Sequence, residues 1–147
     1  MTLNYVRMTS DNIRGEEEVI KLLTLPEISK FVIIDRENYL SYVTSRNDIF
    51  FYKIYFKEKF ISALHIEKEE RTLYVSLAVA PEYQKRGIGC KILEDIQKGR
   101  LVTDFKRIEV YVDRENRASV KLFEKMGFVF VEKAGELIKY VYDLENK

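Results

Sequence analysis

Residues 79–93 read VAPEYQKRGIGCKIL, an apolar run and a helical pattern joined by a short polar segment. Pro81 ends the apolar run, because a proline nitrogen cannot donate to a β-ladder. Gly87 and Gly89 permit unusual φ angles and close backbone approach, so several N–H groups from about residue 86 to residue 90 can converge. Unpaired amides and the helix dipole favour a bound anion where a helix begins. The stretch therefore predicts an anion-binding turn between a strand and a helix; the alternative is a glycine-rich turn with solvated charges.

Two common phosphate-binding motifs do not fit this turn. The P-loop needs two glycines separated by four residues and followed by Lys and then Ser or Thr, and the chain has no such spacing. A dinucleotide-binding turn needs a third small residue where the helix meets the strand, but Ile92 stands at that position. The sequence therefore predicts neither of these nucleotide sites.

Upstream of the turn, residues 48–81 contain three runs of aromatic and β-branched residues. Polar breaks at residues 57–59 and 67–72 separate the runs, a pattern typical of an antiparallel meander. Before the meander we expect a strand at residues 3–8 and short helices at residues 16–25 and 36–43.

Downstream of the turn, apolar residues from Ile92 to Ile96 recur at helical spacing, and Leu101 can continue the pattern. Residues 107–113 alternate between apolar and polar, which predicts a strand with Glu109 on its polar face. Residues 116–127 predict a capped helix, and two strands around residues 134–135 predict a closing hairpin. The element order predicts one α/β (α+β) domain over residues 1–147, with a mixed, mostly antiparallel sheet of about seven strands and about four helices.

Composition excludes several classes of function. The chain has 147 residues, a net charge of +1, one cysteine and one histidine. A balanced charge gives no sign of a nucleic-acid partner, and the few Cys and His residues argue against a metal site. No apolar stretch approaches the roughly 18 residues that a membrane span requires, and no signal peptide is visible. We therefore expect a cytoplasmic protein without nucleic-acid, membrane or metal partners.

The turn resembles the cofactor loop of the GNAT acyltransferase superfamily. In that loop Arg or Gln is followed by two variable residues, Gly, one variable residue, and Gly or Ala; residues 84–89 read QKRGIG. Residues 116–128, NRASVKLFEKMGF, are similar to a second segment of the family. The matched positions in that segment are Asn116, Ser119, Leu122, Phe123, Lys125, Gly127 and Phe128. The element order also fits the family fold from end to end.

The resemblance implies that acetyl-CoA is the co-substrate, with its pyrophosphate on the turn amides and its pantetheine arm beside the preceding strand. The Val79 N–H would then donate to the thioester carbonyl and stabilise the oxyanion formed when an amine attacks. The thiol of Cys90, near a helix start, can be reactive, but a small residue packed under the turn is the favoured interpretation. The implied cofactor-binding residues are Leu77, Val79, Gln84, Lys85, Arg86, Gly87, Ile88, Gly89, Cys90, Asn116, Ser119 and Phe123.

The usual proton-transfer groups of the family do not carry over. Phe123 stands where many members have a tyrosine acid, and Tyr74 stands where many have a glutamate base. Tyr111, Glu67 and Tyr74 are the substitute catalytic candidates, together with His65. Each also has a structural interpretation, as a packed aromatic, a solvated turn acid or a satisfied core histidine.

The sequence thus predicts an N-acetyltransferase that moves an acetyl group from acetyl-CoA to a primary amine by direct attack. The acceptor is a small-molecule amine or a peptide N-terminus or lysine. A homodimer through the terminal strand at residues 137–144 and a monomer with a closed sheet are equally compatible with the pattern. An acyl-CoA-binding sensor with little transferase activity is the alternative, since Phe123 and Tyr74 lack the usual chemistry.

Overall fold

A computed structural model describes residues 1–32 and 34–146, the last by its backbone alone. The strands are β1 (Asn4–Met8), β2 (Ile49–Phe56), β3 (Lys59–Glu69), β4 (Thr72–Val79), β5 (Arg107–Asp113), β6 (Val129–Ala134) and β7 (Leu137–Asp143). The helices are α1 (Glu16–Leu23), α2 (Pro26–Ser29), α3 (Tyr39–Thr44), α4 (Ile88–Gln97) and α5 (Arg117–Lys125). Single 3₁₀ turns span Pro81–Tyr83 and Leu144–Asn146.

The described strands form one seven-stranded sheet in the order β1-β2-β3-β4-β5-β7-β6. Every neighbouring pair is antiparallel except β4 and β5, which run parallel. The predicted mixed, mostly antiparallel sheet is confirmed. The meander turns are tighter than expected because Lys57 and Glu58 both adopt positive φ angles, 50° and 68°, which suits a two-residue hairpin.

Several predicted boundaries are wrong. The described chain has five α-helices, in line with the expected number of about four, and Pro26 opens a short helix that was not predicted. The helix predicted at residues 36–43 begins three residues later, as α3 (Tyr39–Thr44). Helix α4 stops before Gly99, whose φ of 71° breaks the pattern, so Leu101 does not continue it. Glu109, which the alternation placed on the polar face of its strand, is buried there, with Lys139 and Arg107 beside its carboxylate.

The predicted dimer strand is also misplaced. Residues 137–143 form β7, which lies between β5 and β6 and has a strand on each side, so it offers no free edge to a second copy. The free edge at this end of the sheet belongs to β6, where Val129, Phe130 and Val131 are exposed.

The sheet separates two apolar clusters. One contains α4 and α5 residues such as Ile92 and Phe123, packed on the β3 side chains Leu64 and Ile66. The other contains residues of α1 to α3, packed on Phe51, Ala63 and Ala78. Successive residues of a strand point to opposite faces, so the strands contribute to both clusters. None of the described helices is long and apolar enough to cross a membrane.

The parallel pair positions the site. Its register joins residues 72–74 to residues 107–109, whereas the two strands continue to Val79 and Asp113. The far halves of β4 and β5 therefore separate. In the described part of the chain, the β4 edge that faces β5 has no strand partner beyond Tyr74.

Candidate functional site

A cavity of about 600 Å³ lies at the end of β4. Four segments line it: the last residues of β4, the turn that leads into α4, the start and inner face of α5, and α2 with residues 30–32. The cavity therefore forms where the sheet opens and where both sequence motifs meet.

The cavity brings together most of the predicted cofactor-binding residues. Those in its lining are Leu77, Val79, Gln84, Lys85, Gly87, Gly89, Cys90, Asn116, Ser119 and Phe123. The side chain of Ile88 instead lies in the apolar core, and the guanidinium of Arg86 lies over the ring of Tyr83, 5.2 Å from its centroid. The side chains of these two residues are therefore not part of the cavity lining.

The turn presents unpaired amides to this cavity. Helix α4 begins at Ile88, and no side chain of the described chain caps it. The Lys91 N–H makes the first helical hydrogen bond, to the Gly87 oxygen at 3.0 Å. The N–H groups of Ile88, Gly89 and Cys90 precede that bond and have no intrahelical acceptor. This is the geometry in which a helix start binds an anion.

The two glycines of the turn are required for different reasons. Gly87 has a φ of 80°, a conformation that most side chains disfavour, yet a Cβ there would meet only Met1 Cε at 3.9 Å. A Cβ on Gly89 would lie 2.8 Å from Leu122 Cδ2, so Gly89 allows α4 and α5 to approach closely. The expectation that both glycines serve backbone approach to a ligand did not foresee this packing role.

The open edge of β4 contributes a second set of backbone groups. The Ala80 N–H donates to the Ile61 oxygen at 2.8 Å, which continues the β3–β4 ladder. Hydrogen-bonding direction alternates along an antiparallel strand, so the N–H and C=O groups of Leu77 and Val79 point away from β3, towards the gap. Gln84 Nε2 donates to the Val79 oxygen at 2.9 Å and so fastens the turn to the strand.

The charges around the cavity favour an anionic ligand. Four cationic residues line it, namely Lys30, Lys85, Arg117 and Lys125, against the two carboxylates of Glu27 and Glu115. The Asn116 Oδ1 accepts the Ser119 N–H at 3.3 Å, so Asn116 caps the start of α5 at the cavity wall. Phe123 is buried in contact with Phe128, with ring centroids 5.2 Å apart, and has no proton to give.

The predicted catalytic side chains lie outside the cavity lining but on one face of the sheet. The β3–β4 and β4–β5 registers place Glu67, Tyr74 and Glu109 side by side across three strands. Tyr111 lies two residues beyond Glu109, so its side chain is on the same face, 48% exposed. The Lys139 Nζ lies 5.9 Å from the centroid of the Tyr111 ring.

Four side chains on this face form a hydrogen-bonded chain. His65 Nδ1 lies 3.2 Å from the Tyr39 hydroxyl, and His65 Nε2 lies 3.1 Å from Glu67 Oε1. The Tyr42 hydroxyl donates to the same oxygen of Glu67 at 2.7 Å. Burial lowers the pKa of His65 although the Glu67 carboxylate opposes this, and burial also raises the pKa of Tyr39.

Sequence reasoning named Glu67 and His65 but missed Tyr39 and Tyr42. Helix α3 brings these tyrosines over β3, and Tyr39 and Tyr42 lie 26 and 25 residues before their respective partners His65 and Glu67 in sequence. Short helical periodicity gave no sign of which strand the helix would cover. The cationic lining from Lys30 and Arg117 was missed for the same reason.

Comparison with known proteins identifies the family. The model of the acetyltransferase (GNAT) family matches residues 17–128. The chain belongs to the GNAT acetyltransferase family. Its enzyme class is therefore that of an acetyltransferase, and the resemblance drawn from the two motifs is confirmed. Comparison with curated protein sequences gives no match.

Solved structures of GNAT proteins share the fold at low sequence identity. The GNAT domain of S. lividans PAT superimposes with a TM-score of 0.81 at 15% identity, covering 98% of this chain and 92% of that one. Campylobacter jejuni N-acetyltransferase PseH, in complex with acetyl coenzyme A, gives 0.75 at 14% identity, covering 97% and 99%. Vibrio cholerae spermidine N-acetyltransferase, in complex with CoA and spermine, gives 0.78 at 14% identity, covering 97% and 96%.

Proposed function

We propose that this GNAT protein transfers an acetyl group from acetyl-CoA to a primary amine by direct attack of the amine on the thioester. The observation that carries the proposal is the meeting of three features at one cavity. These features are the unpaired amides at the start of α4, the open edge of β4 and an excess of cationic side chains.

The cofactor is proposed to lie along these features. Its pyrophosphate would accept hydrogen bonds from the amides of residues 88–90, with Lys85 and Arg117 supplying positive charge. Its pantetheine arm would follow the Leu77 and Val79 backbone. The Val79 N–H, directed into the gap, would donate to the thioester oxygen and stabilise the charge that develops there.

The acetyl group would move without a covalent enzyme intermediate. Holding amine and thioester in contact supplies much of the rate enhancement, because a bimolecular reaction becomes effectively unimolecular. Cys90 is proposed to act as a small wall residue of the cavity rather than as a nucleophile. Tyr111, Glu67 and Tyr74 remain the proposed proton-transfer residues, and the face they share borders the gap.

The acceptor is proposed to be a small-molecule amine or a peptide amine. The acidic side chains on the sheet face, Glu67 among them, would favour a cationic acceptor. A polyamine belongs among the first acceptors to be tested, since the V. cholerae neighbour is a spermidine acetyltransferase crystallised with spermine.

Two further parts of the proposal concern the context of the enzyme. We propose a cytoplasmic location. We also propose that two copies pair through the β6 edge, where exposed Val129, Phe130 and Val131 support contact with a second copy. Light scattering on the wild-type protein and a Phe130→Lys variant tests the pairing, and a monomeric wild type would contradict it.

The function is tested by binding and turnover measured separately. Calorimetry should show acetyl-CoA binding in the micromolar range, with a matching rise in melting temperature. A panel of primary amines, including spermidine and lysine peptides, should then accelerate thiol release above hydrolysis. Absence of both heat and thermal stabilisation would reject cofactor binding.

The alternative function is an acyl-CoA-binding sensor, favoured by the apolar Phe123 in the cavity. A sensor predicts tight binding of acetyl-CoA and no amine that accelerates thiol release. The same two measurements therefore separate enzyme, sensor and a module without affinity for the cofactor.

A further inference from the structure

The chain of side chains from Tyr39 to Glu67 has one consistent pattern of protons. An ionised Glu67 can only accept hydrogen bonds, so the Nε2 of a neutral His65 must carry the imidazole proton and donate it. His65 Nδ1 is then unprotonated and carries a lone pair, so the Tyr39 hydroxyl must donate its hydrogen bond to that nitrogen. In this arrangement the Tyr39 oxygen keeps lone pairs that can accept a further proton.

The chain lies beside an open part of the sheet. His65 pairs with Ser76 of β4, which is exposed on the same face. The next same-face pair along these strands is Ala63 with Ala78, and Ala78 lines the cavity. Two residues of strand span about 7 Å, so His65 lies roughly 7 Å along the strands from Ala78 at the cavity.

The Glu67 carboxylate is held by neutral hydrogen-bond donors rather than by a cationic side chain. In the described part of the protein, Glu67 forms no salt bridge with a Lys or Arg, and its imidazole partner, His65 at 3.1 Å, is neutral in this arrangement. The side chains of His65 and Glu67 are only 17% and 33% exposed. The carboxylate is therefore held by hydrogen bonds from the neutral groups of His65 and Tyr42, and it is placed to stabilise an imidazolium when His65 takes up a proton.

We infer that Tyr39, His65 and Glu67 form a proton relay that deprotonates the acceptor amine. Tyr39 is the catalytic residue that contacts the amine directly or through water, and His65 and Glu67 act through it. The inference rests on the proposed acetyl transfer.

Each turnover moves one proton's charge from the amine nitrogen, through the Tyr39 hydroxyl, to His65. As the amine nitrogen forms its bond to the thioester carbon, its N–H proton passes to the Tyr39 oxygen and the Tyr39 proton passes to His65 Nδ1. The C–S bond breaks with its electron pair on sulfur, and the CoA thiolate takes a proton from water. His65 is left as an imidazolium beside the Glu67 carboxylate, and it returns its proton to solvent before the next turnover.

The groups around His65 keep the imidazole neutral at pH 7 and ready to accept. Burial lowers the pKa of His65, which keeps the ring unprotonated, while Glu67 stabilises the imidazolium once it forms. The other titratable or polar groups facing this cluster are Tyr39 and Tyr42 from α3, Arg46 and Asp48 after α3, and Tyr74 and Ser76 from β4.

The proton pattern can be measured in the free protein. His65 is the sole histidine of the chain, so ¹⁵N-histidine NMR gives one unambiguous pair of ring signals. We expect the Nε2–H tautomer and a pKa below the ordinary 6.5. Glu67→Gln should lower that pKa further, because it removes the charge that favours the imidazolium. An Nδ1–H tautomer in the wild type would overturn the relay.

The kinetic test uses methylamine as the acceptor probe, with acetyl-CoA saturating. Tyr39→Phe and His65→Gln should lower kcat roughly 100-fold, within the usual range for general base catalysis, and leave the Kd for acetyl-CoA unchanged. Tyr55→Phe is the matched control, since it removes a tyrosine–glutamate hydrogen bond of 2.8 Å to Glu18 of α1, which lies outside the Tyr39–His65–Glu67 chain. This control should keep wild-type turnover.

The pH dependence separates a relay from a packing role. The ratio of wild-type to His65→Gln turnover cancels the ionisation of methylamine itself. It should be large at pH 7 and above and fall towards 1 as pH drops through the His65 pKa, where the ring can no longer accept a proton. A ratio that is independent of pH, unchanged kcat in Tyr39→Phe, or no wild-type turnover of methylamine despite bound acetyl-CoA would each overturn the relay. Failure to bind acetyl-CoA would instead reject the proposed function, and the relay with it.

Discussion

The sharpest test of the cofactor turn is a pair of substitutions at Gly87. Asn and Asp have nearly the same shape and both tolerate the left-handed conformation better than other residues, so Gly87→Asn and Gly87→Asp should share the cost of a φ of 80°. A Cβ there has open space, with only Met1 Cε as near as 3.9 Å. The two variants should therefore fold alike and differ only by one negative charge.

The size of the effect follows from where that charge lies. Two unit charges 4 Å apart repel by about 1 kcal/mol in water and about 4 kcal/mol at an effective dielectric constant of 20. Gly87 is exposed at the rim of the cavity, so an intermediate penalty of about 1–3 kcal/mol is expected against a bound diphosphate. This corresponds to an acetyl-CoA Kd about 5- to 150-fold weaker for Gly87→Asp than for Gly87→Asn.

Calorimetry at two salt concentrations measures this difference. The Debye length falls from about 10 Å at 0.1 M to about 3 Å at 1 M salt. The difference in acetyl-CoA Kd between the two variants should therefore be smaller at high salt. Thermal melts of both variants check that they unfold at the same temperature. Equal affinities of the Asn and Asp variants at low salt would refute the placement of the pyrophosphate at this turn.

Two other predictions concern the scaffold around the site. Gly89→Ala should lower the free energy of unfolding by about 1–3 kcal/mol, because its Cβ would crowd Leu122 Cδ2. Chemical denaturation should show that Gly89→Ala lowers the unfolding free energy less in a Leu122→Ala background. An equal loss of unfolding free energy in that background would contradict the packing role of Gly89. Burial alone would raise the pKa of Asp95, but hydrogen bonds from Tyr5 and from two cationic side chains hold that pKa below its usual range. The ionised carboxylate therefore stabilises the fold above about pH 4, and this contribution is lost as the pH falls further. The difference in unfolding free energy between wild type and Asp95→Asn should therefore shrink below about pH 4, and a difference that persists at pH 2 would contradict this role.

Local chemistry made the cofactor turn predictable from sequence. Pro81 ended the strand, two nearby glycines opened the backbone, and regular apolar spacing after Gly89 required a helix. The same local rules placed the meander, the strand at residues 107–113 and the capped helix after Asn116. All of these depend on contacts between near neighbours in the chain, which the residue types specify directly.

The tertiary structure alone decided what depends on distant segments meeting. The short pairing of β4 with β5, and hence the gap between them, arises from the layout of the whole sheet. Gly89 faces Leu122 because two helices separated by a strand pack on the same side of that sheet. Helix α3 reaches across the other side and places Tyr39 on His65, an encounter that no local periodicity encodes. Sequence thus specified the turn proposed to bind an anion, while long-range packing specified the groups proposed for proton transfer. Those groups come from residues whose separation along the chain does not determine their distance in space.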